Sequence, residues 1–265
     1  MKLLQVVFVT FLWASVLLIS KATGLPPPVF VFYRVLFSLI IVLPMTLRSG
    51  IERPRLSLIA GGVFIALNWI FLFLAVSMIG PSTADFIYYT APIISLALSG
   101  FFGERIPLSS WIAAAVSLAG VGMIFSFSPS DPIGMLFAFL GALFYGSVVV
   151  LGRFIRSSSS NITFYQMVVS AAATLPFAIL MDYEIDLFKA FLLVIAGVVN
   201  TGLALILWWD ALKVLGVKKA SVLSYLDPLF ALVLSVLFLG YEPGIWEIAG
   251  GILIIAGGVM VSLRK

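Results

Sequence analysis

Ten apolar runs, each about 18 to 24 residues long, follow one another with only short connections between them. They fall at about 3–20, 29–47, 57–79, 82–102, 109–127, 133–151, 162–181, 189–212, 219–239 and 245–263. A helix of ~20 apolar residues crosses the ~30 Å hydrocarbon core of a bilayer. Backbone in hydrocarbon must satisfy its own N–H and C=O groups, which leaves helix as the form open to each run. The expected fold class is therefore an all-α polytopic membrane protein with ten transmembrane helices. The connections carry turn chemistry, as in Leu25-Pro26-Pro27-Pro28, Gly80-Pro81-Ser82, Ser128-Pro129-Ser130-Asp131-Pro132 and Gly240-Tyr241-Glu242-Pro243-Gly244. Met1-Lys2 ahead of the first run imitates a signal peptide, but no small-x-small cleavage pattern precedes Lys21, so this run is expected to be the first span.

Composition narrows the chemistry. Of 265 residues, 63% are hydrophobic and 10% charged, and the mean hydropathy is +1.23, outside the usage of water-soluble domains. Absence of Cys and His removes disulfides, thiol nucleophiles and the usual zinc ligands, and neither metal nor cofactor is expected. The net charge of +4 does not point to nucleic acid, because the basic residues cluster in short loops and report orientation. With the N-terminus in the cytoplasm, Lys2, Arg48, Arg53, Arg55, Arg105, Arg153, Arg156, Lys213, Lys218, Lys219, Arg264 and Lys265 fall inside, and only Lys21 and Lys189 fall outside. Both termini are then expected in the cytoplasm, with the chain in the cytoplasmic membrane.

The halves repeat. A shift of 132 residues lays Trp13 on Tyr145, Ser15 on Ser147, Phe32-Tyr33-Arg34 on Phe164-Tyr165-Gln166, Ser38 on Ser170 and Pro44 on Pro176. Four more residues bring Ala75 onto Ala211, Gly80 onto Gly216, Ala84 onto Ala220, Tyr89 onto Tyr225 and Pro92 onto Pro228. This divides the chain at 1–128 and 129–265 into two units of five helices. Five is odd, so the second unit lies inverted in the membrane, and inverted repeats are a hallmark of secondary transporters with a site near the midplane.

Several polar and aromatic residues fall inside the runs. Asn68 and Asn200 lie midway along theirs, one turn apart on equivalent helices, as cavity wall or as interhelical hydrogen bonds. Tyr88, Tyr89 and Tyr225, with Ser224 beside the last, are candidates for stacking on a planar solute or gripping a cation. Pro92 and Pro228 are expected to kink their helices beside the path. Trp13, its counterpart Tyr145, and Trp69 are expected to line the cavity; Trp208 and Trp209 read as interfacial anchors, one of them a candidate cytoplasmic gate. Trp111 and Trp246, at run ends, read as anchors too.

Four ionisable groups remain. Asp210 is expected to pair with Lys213 at the inner interface. Asp227, about eight residues or ~12 Å into its run, is either a cap on the backbone freed by Pro228 or a proton or cation site. Arg34 and Asp85 lie at nearly equal depth, ~8 Å and ~5 Å, and an ion pair between them in one access state is expected; snorkelling and contact with an anionic substrate are the rivals. Arg34, Asp85 and Asp227 are thus the candidates for coupling or gating. The fifth and tenth runs carry small-residue stripes, Ala113 to Ala115 with Ser117, Gly120 and Gly122, and Gly250-Gly251 with Gly257-Gly258. They are expected to pack against the other repeat or a second protomer, which makes a homodimer one expected partner.

The stretches FLWASVLLISK, LPPPVFVFYRVLFSLIIVLP, ADFIYYTAPIISLALSGFFGERIPLSSW and ASVLSYLDPLFALVLSVLFLGYEP resemble the EamA family of the drug/metabolite transporter superfamily over nearly the whole chain. The resemblance implies a ten-helix, inverted-repeat carrier that moves small organic solutes such as amino acids or drugs, often as an exporter, by alternating access. The family's recurring features correspond here to Trp13-Ala14-Ser15, Arg34, Pro92 and Gly103-Glu104. The second half departs in Gln166 and in the spacing of Gly240-Tyr241-Glu242. The expected function is a secondary active transporter whose partners are a small-molecule substrate, membrane lipid and a coupling proton. The rival is a polytopic membrane enzyme acting on lipid-linked substrates, against which stands the absence of His, Cys and a nucleotide-cradling loop.

Overall fold

A computed structural model describes residues 1–125 and 131–262. Ser128, Pro129 and Ser130 of the expected turn, with Arg264 and Lys265 of the charge count, lie outside the described residues. Among those described there is no strand. In order the helices are α1 Lys2–Thr23, α2 Pro27–Ser49, α3 Leu56–Tyr88, α4 Ala91–Phe101, α5 Leu108–Ile124, α6 Pro132–Leu151, α7 Ser159–Leu180, α8 Leu187–Gly197, a π-helical segment Val198–Leu203, α9 Ala204–Leu223, α10 Leu226–Leu239 and α11 Ile245–Ser262. Among the described residues seven stretches are long and apolar enough to cross a membrane, Leu187–Leu223 counting as one, and α4, α5 and α10 are shorter apolar helices.

Local chemistry accounts for the ends. Asp131, Ser158 and Asp186 each precede a helix and accept a hydrogen bond from a backbone N–H of its first turn, at 3.0, 3.1 and 2.7 Å, which satisfies a donor that the helix itself cannot. Pro27 and Pro132 open α2 and α6, where a missing N–H costs nothing.

Two interior glycines bend the long helices. Gly80 (φ 75, ψ 162) and Gly216 (φ 73, ψ 169) share one non-helical conformation, accessible to a residue without Cβ. A second pair of breaks was not visible in the hydropathy. The helix stops at Tyr89-Thr90 and at Ser224-Tyr225 before restarting as α4 and α10. Pro92 and Pro228 follow, and neither can bond the carbonyl four residues back, so the ladder is interrupted there.

The bundle is built from a few extensive interfaces. α3 packs on α6 and α7, and α4 on α6; α8, the π segment and α9 pack on α1, the first two also on α2, and α10 on α1. α2 meets α7, and α5 meets α11. The last contact explains the glycine stripes: a Cβ on Gly120 or on Gly250 would lie 2.5 Å from the other's carbonyl oxygen, so only glycine permits the approach.

Two expectations for the α9 region are corrected. Asp210 pairs with Lys2, 208 residues away in sequence, while Lys213 donates to the Ser157 carbonyl at 2.6 Å. The packing of α1 on α9 brings the Lys2 ammonium within reach, which helical spacing along α9 could not reveal. Trp208 and Trp209 do not sit at an interface: each is 1% exposed. α9 runs through the bundle against α1, α4 and α7, so both indoles are core.

Candidate functional site

A cavity of about 320 Å³ opens between α1, α2, α3, α4, α6, the π segment, α9 and α10. Its floor is mid-bundle, at Asn68, Tyr145, Asn200 and Leu205, and its wall continues to Ser20, Pro27 and Pro81, at the ends of α1 and α2 and beside the Gly80 bend. Its mouth is therefore at that end of the bundle.

Of the residues singled out in the sequence, Trp13, Arg34, Asn68, Trp69, Asp85, Tyr88, Tyr89, Pro92, Tyr145, Asn200, Ser224 and Asp227 line this cavity. Tyr225 and Pro228 do not. Tyr225 is fully buried and Pro228 packs inside α10, because the break at Ser224-Tyr225 turns Asp227 toward the cavity in their place. The lining residues that sequence reasoning missed are mostly apolar, such as Leu205 and Ile65, together with Ser20 and Thr201. Nothing distinguishes their type from that of any other residue in a membrane helix.

The two asparagines act as cavity wall and as ties between helices at once. Asn68 Nδ2 donates to the Gly141 carbonyl at 2.9 Å and the Tyr88 hydroxyl at 3.1 Å. Asn200 Nδ2 donates to the Leu12 carbonyl and to Ser15 Oγ, both at 2.6 Å. Each ties antiparallel helices together, and each leaves its Oδ1 buried without a partner among the described residues. Tyr88 packs edge-on against Tyr89 (centroids 6.1 Å apart) and at a tilt of 42° against Tyr145 (5.9 Å), which joins three phenol rings into one wall.

The charges are arranged differently from expectation. The Arg34 to Asp85 ion pair is not formed. Arg34 Cζ lies 4.8 Å from the centroid of the Trp69 ring, and none of the ion pairs among the described residues includes Arg34, Asp85 or Asp227. A ring face within ~6 Å attracts a guanidinium by up to ~2 kcal/mol when desolvated, comparable to the ~3 kcal/mol cost of arginine at mid-membrane on an insertion scale. Trp69, one residue beyond Asn68, supplies that face where the sequence suggested a carboxylate. Asp227 accepts from the Tyr89 hydroxyl at 2.8 Å, and its Oδ1 has no partner among the described residues. It does not cap the backbone at Pro228: the Ser224 carbonyl accepts from the Asp227 N–H at 3.1 Å instead.

Toward the opposite end the central cavity is sealed by bonded side chains, and beyond the seal lies a separate pocket of about 380 Å³ among Glu104, Gly152, Arg153, Leu212, Lys213 and Val217. Trp209 Nε1 donates to Gln166 Oε1 at 2.9 Å beneath Gly152, and Trp208 packs on Trp13 with centroids 5.1 Å apart. Glu104 accepts from Ser99 Oγ and gathers Arg153 at 3.5 Å and Lys218 at 3.6 Å. The α2–α3 loop is fastened to the start of α7 by Ser158 N–H to Glu52 Oε1 at 3.1 Å, and by Asn161 Nδ2 to the Gly50 carbonyl at 2.9 Å.

Comparison with known proteins agrees with the sequence. The EamA-like transporter family matches residues 1–126 and again 132–263. An uncharacterized transporter, YxxF, of Bacillus subtilis is 28% identical, over 99% of this chain and 89% of its own length. The pseudopaline exporter CntI of Pseudomonas aeruginosa is 25% identical over 97% of this chain and 93% of its own. The S-adenosylmethionine uptake transporter of Rickettsia bellii is 23% identical over 87% and 81%. A solved crystal structure superposes with a TM-score of 0.89 at 22% identity, covering 99% of this chain and 97% of that one, and establishes the likeness of fold.

Proposed function

The chain belongs to the EamA-like transporter family, and from that premise we propose that it is a secondary active transporter, an exporter of small organic solutes across the cytoplasmic membrane. It works by alternating access at the central cavity. Ten helices cross the bilayer as two inverted units, 1–128 and 129–265, with both termini in the cytoplasm. The observation that carries this reading is a cavity that runs from mid-bundle to one end while the other end is closed by bonded side chains. That is the geometry of a carrier caught open on one side. The basic residues bring the closed end to the cytoplasm, so this form faces outward.

The interfaces support the inversion. Exchanging the halves turns the packing of α3 and α4 on α6 into that of α8, α9 and α10 on α1, and maps the α2–α7 and α5–α11 contacts onto themselves. The asparagine ties follow the same rule. Asn68 lies four residues beyond the counterpart of Asn200, and Gly141 three residues before that of Leu12, so one antiparallel crossing recurs a turn further along. Gly80 and Gly216 repeat one backbone conformation at equivalent points.

The relatives carry names of transporters, two of them with small organic cargo, which favours transport over the rival enzyme on lipid-linked substrates. Asp227, with one oxygen held by Tyr89 and the other without a partner among the described residues, is the candidate for exchange with a proton. Because α5 and α11 use their glycine stripes on one another, those stripes do not call for a second protomer. The test is counterflow in proteoliposomes across a metabolite panel. Solute-specific exchange without ATP, abolished by Trp13→Ala, is expected; uptake no faster than into protein-free liposomes for every solute overturns the reading.

A further inference from the structure

The pocket beyond the bond of Trp209 to Gln166 collects charge of one sign. Its lining sets Arg153, Arg156 and Lys213 against a single carboxylate, Glu104, which is already shared between Arg153 at 3.5 Å and Lys218 at 3.6 Å. Arg156 makes no ion pair among the described residues. Lys213 donates to two neutral acceptors, the Ser157 carbonyl at 2.6 Å and Ser159 Oγ at 3.1 Å. The preference of basic residues for cytoplasmic loops accounts for their presence at this end of the bundle. It does not account for their convergence on one concavity, where like charges repel unless an anion lies among them. The repeat supplies an internal control. The first-half counterparts of Arg153, Arg156 and Lys213 are Lys21, Gly24 and Ser77, so the equivalent end of the open cavity carries one base in place of three.

An apolar ledge leads out of the same pocket. Arg153 Cζ lies 5.5 Å from the Phe154 ring centroid, Phe154 meets Phe102 at 5.6 Å, and Phe102 meets Phe101 at 5.4 Å, both ring pairs edge-on. All three rings are exposed, from 50% at Phe154 to 83% at Phe101. Anchoring at the membrane surface would account for aromatic rings at the ends of α4 and α6, but not for their continuity with the pocket's arginine. A soluble anion would use the pocket alone; an amphiphile with an anionic head and an apolar tail uses both. Guanidinium forks take phosphate oxygens through paired hydrogen bonds, and an ammonium serves as a point charge for another. We propose that this pocket is a site for the phosphate of an anionic glycerophospholipid, held by Arg153, Arg156 and Lys213 with its acyl chain along the phenylalanine ledge. Basic pockets between helices on the cytoplasmic side suit such headgroups. The choice of leaflet rests on the orientation given above, whereas the binding does not depend on transport. Gly152, against which Trp209 packs, lines this pocket with Lys213 of α9, so a phosphate spanning Arg153 and Lys213 bridges the elements that form the seal and favours its closed form.

The test uses the delipidated full chain in detergent and measures binding by native mass spectrometry. The probes are dioleoyl phosphatidylglycerol, dioleoyl phosphatidylcholine and glycerol 3-phosphate, which separate the charge of the head from the presence of a tail. The anionic lipid should bind at least about tenfold more tightly than either of the others. Arg156→Gln, which breaks no ion pair among the described residues, and Lys213→Gln should each weaken it about fivefold. Phe154→Ser should weaken it about threefold or more through lost apolar contact. Lys219→Gln removes a base of the same helix α9 that lies outside the pocket, and should leave the affinity within about twofold. The melting point of each unliganded variant checks that it is folded. The proposal is overturned if the two lipids bind alike, or if Lys219→Gln weakens binding as much as Arg156→Gln, which would reduce the effect to diffuse surface charge. Binding of glycerol 3-phosphate as tight as that of the anionic lipid would overturn it too, making a soluble phosphate the occupant. Failure of counterflow with these binding differences intact would remove the transport reading alone.

Discussion

Trp209 donates its indole proton to Gln166 across 2.9 Å, and the space its ring fills exists because residue 152 has no side chain. A Cβ on Gly152 would lie 2.1 Å from the Trp209 ring carbon Cζ3. In the first half the corresponding position is Ser20, on the wall of the open cavity. Phe73, the counterpart of Trp209, lines that cavity too, so equivalent elements of the two halves are pressed together at one end of the bundle and separated at the other.

Gly152→Ala should therefore loosen the closed end. Either the indole leaves Gln166 or α6 moves, and overpacking of this kind costs about 1–3 kcal/mol. A cysteine introduced at the buried Leu212, beside this junction, should react with a soluble maleimide about tenfold faster in the Gly152→Ala background, since ~1.4 kcal/mol is a factor of ten in population. An unchanged rate would mean that the indole is no part of the closure.

Topology can be read from four exposed positions, three in loops and one, Lys21, in the last turn of α1. In this chain without native cysteine, Lys21→Cys and Asp182→Cys should label from outside the cell. Arg53→Cys and Arg156→Cys should label only after the membrane is permeabilised. Labelling of Lys21→Cys and Arg156→Cys from the same side would be incompatible with two inverted five-helix units.

Should Asp227 exchange a proton for cargo, Asp227→Asn ought to abolish the response of flux to an imposed pH gradient while counterflow at equal pH persists. Tyr89→Phe removes the 2.8 Å hydrogen bond but not the carboxylate, so the response should survive, displaced along the pH axis. Flux that still follows the gradient in Asp227→Asn excludes this residue as the coupling site.

The α5–α11 seam offers a prediction about stability alone. Gly250→Val places a branched side chain against the Gly120 carbonyl, 2.5 Å from where its Cβ must go. Neither residue lines the cavity. The melting temperature in detergent should fall by several degrees, as expected for a loss of about 1–3 kcal/mol in a chain of this size, with ligand affinity preserved in the folded fraction. A variant as stable as the wild type would show that the two helices are not held at glycine distance.

Much of this arrangement was legible before any coordinates. Hydropathy alone marks the chain as a series of apolar helices, because a backbone leaving water has so few ways to satisfy itself, although two of the expected connections, at Gly80 and Gly216, are bends inside α3 and α9. Residues out of place in hydrocarbon pointed to the cavity: Trp13, Arg34, Asn68, Asp85, Asn200 and Asp227 all stand on its wall, since an amide, charge or indole at mid-membrane depth needs water, a ligand or a partner. The breaks at Tyr89-Thr90 and Ser224-Tyr225 were signalled by Pro92 and Pro228 and not by hydropathy, whose average runs smoothly across them.

What each of those residues touches was decided by tertiary structure. Helical spacing offered Lys213 to Asp210, and depth offered Asp85 to Arg34; the fold chose Lys2 and the face of Trp69. Polarity placed Trp208 and Trp209 at an interface, and packing put them in the core. The sequence by itself determined which segments are helices and which residues cannot rest against lipid, because both follow from the transfer of single groups out of water. Only the assembled bundle decided the partners and which end is open, because a contact depends on the rotation and offset of one helix against another, and no average along the chain contains either.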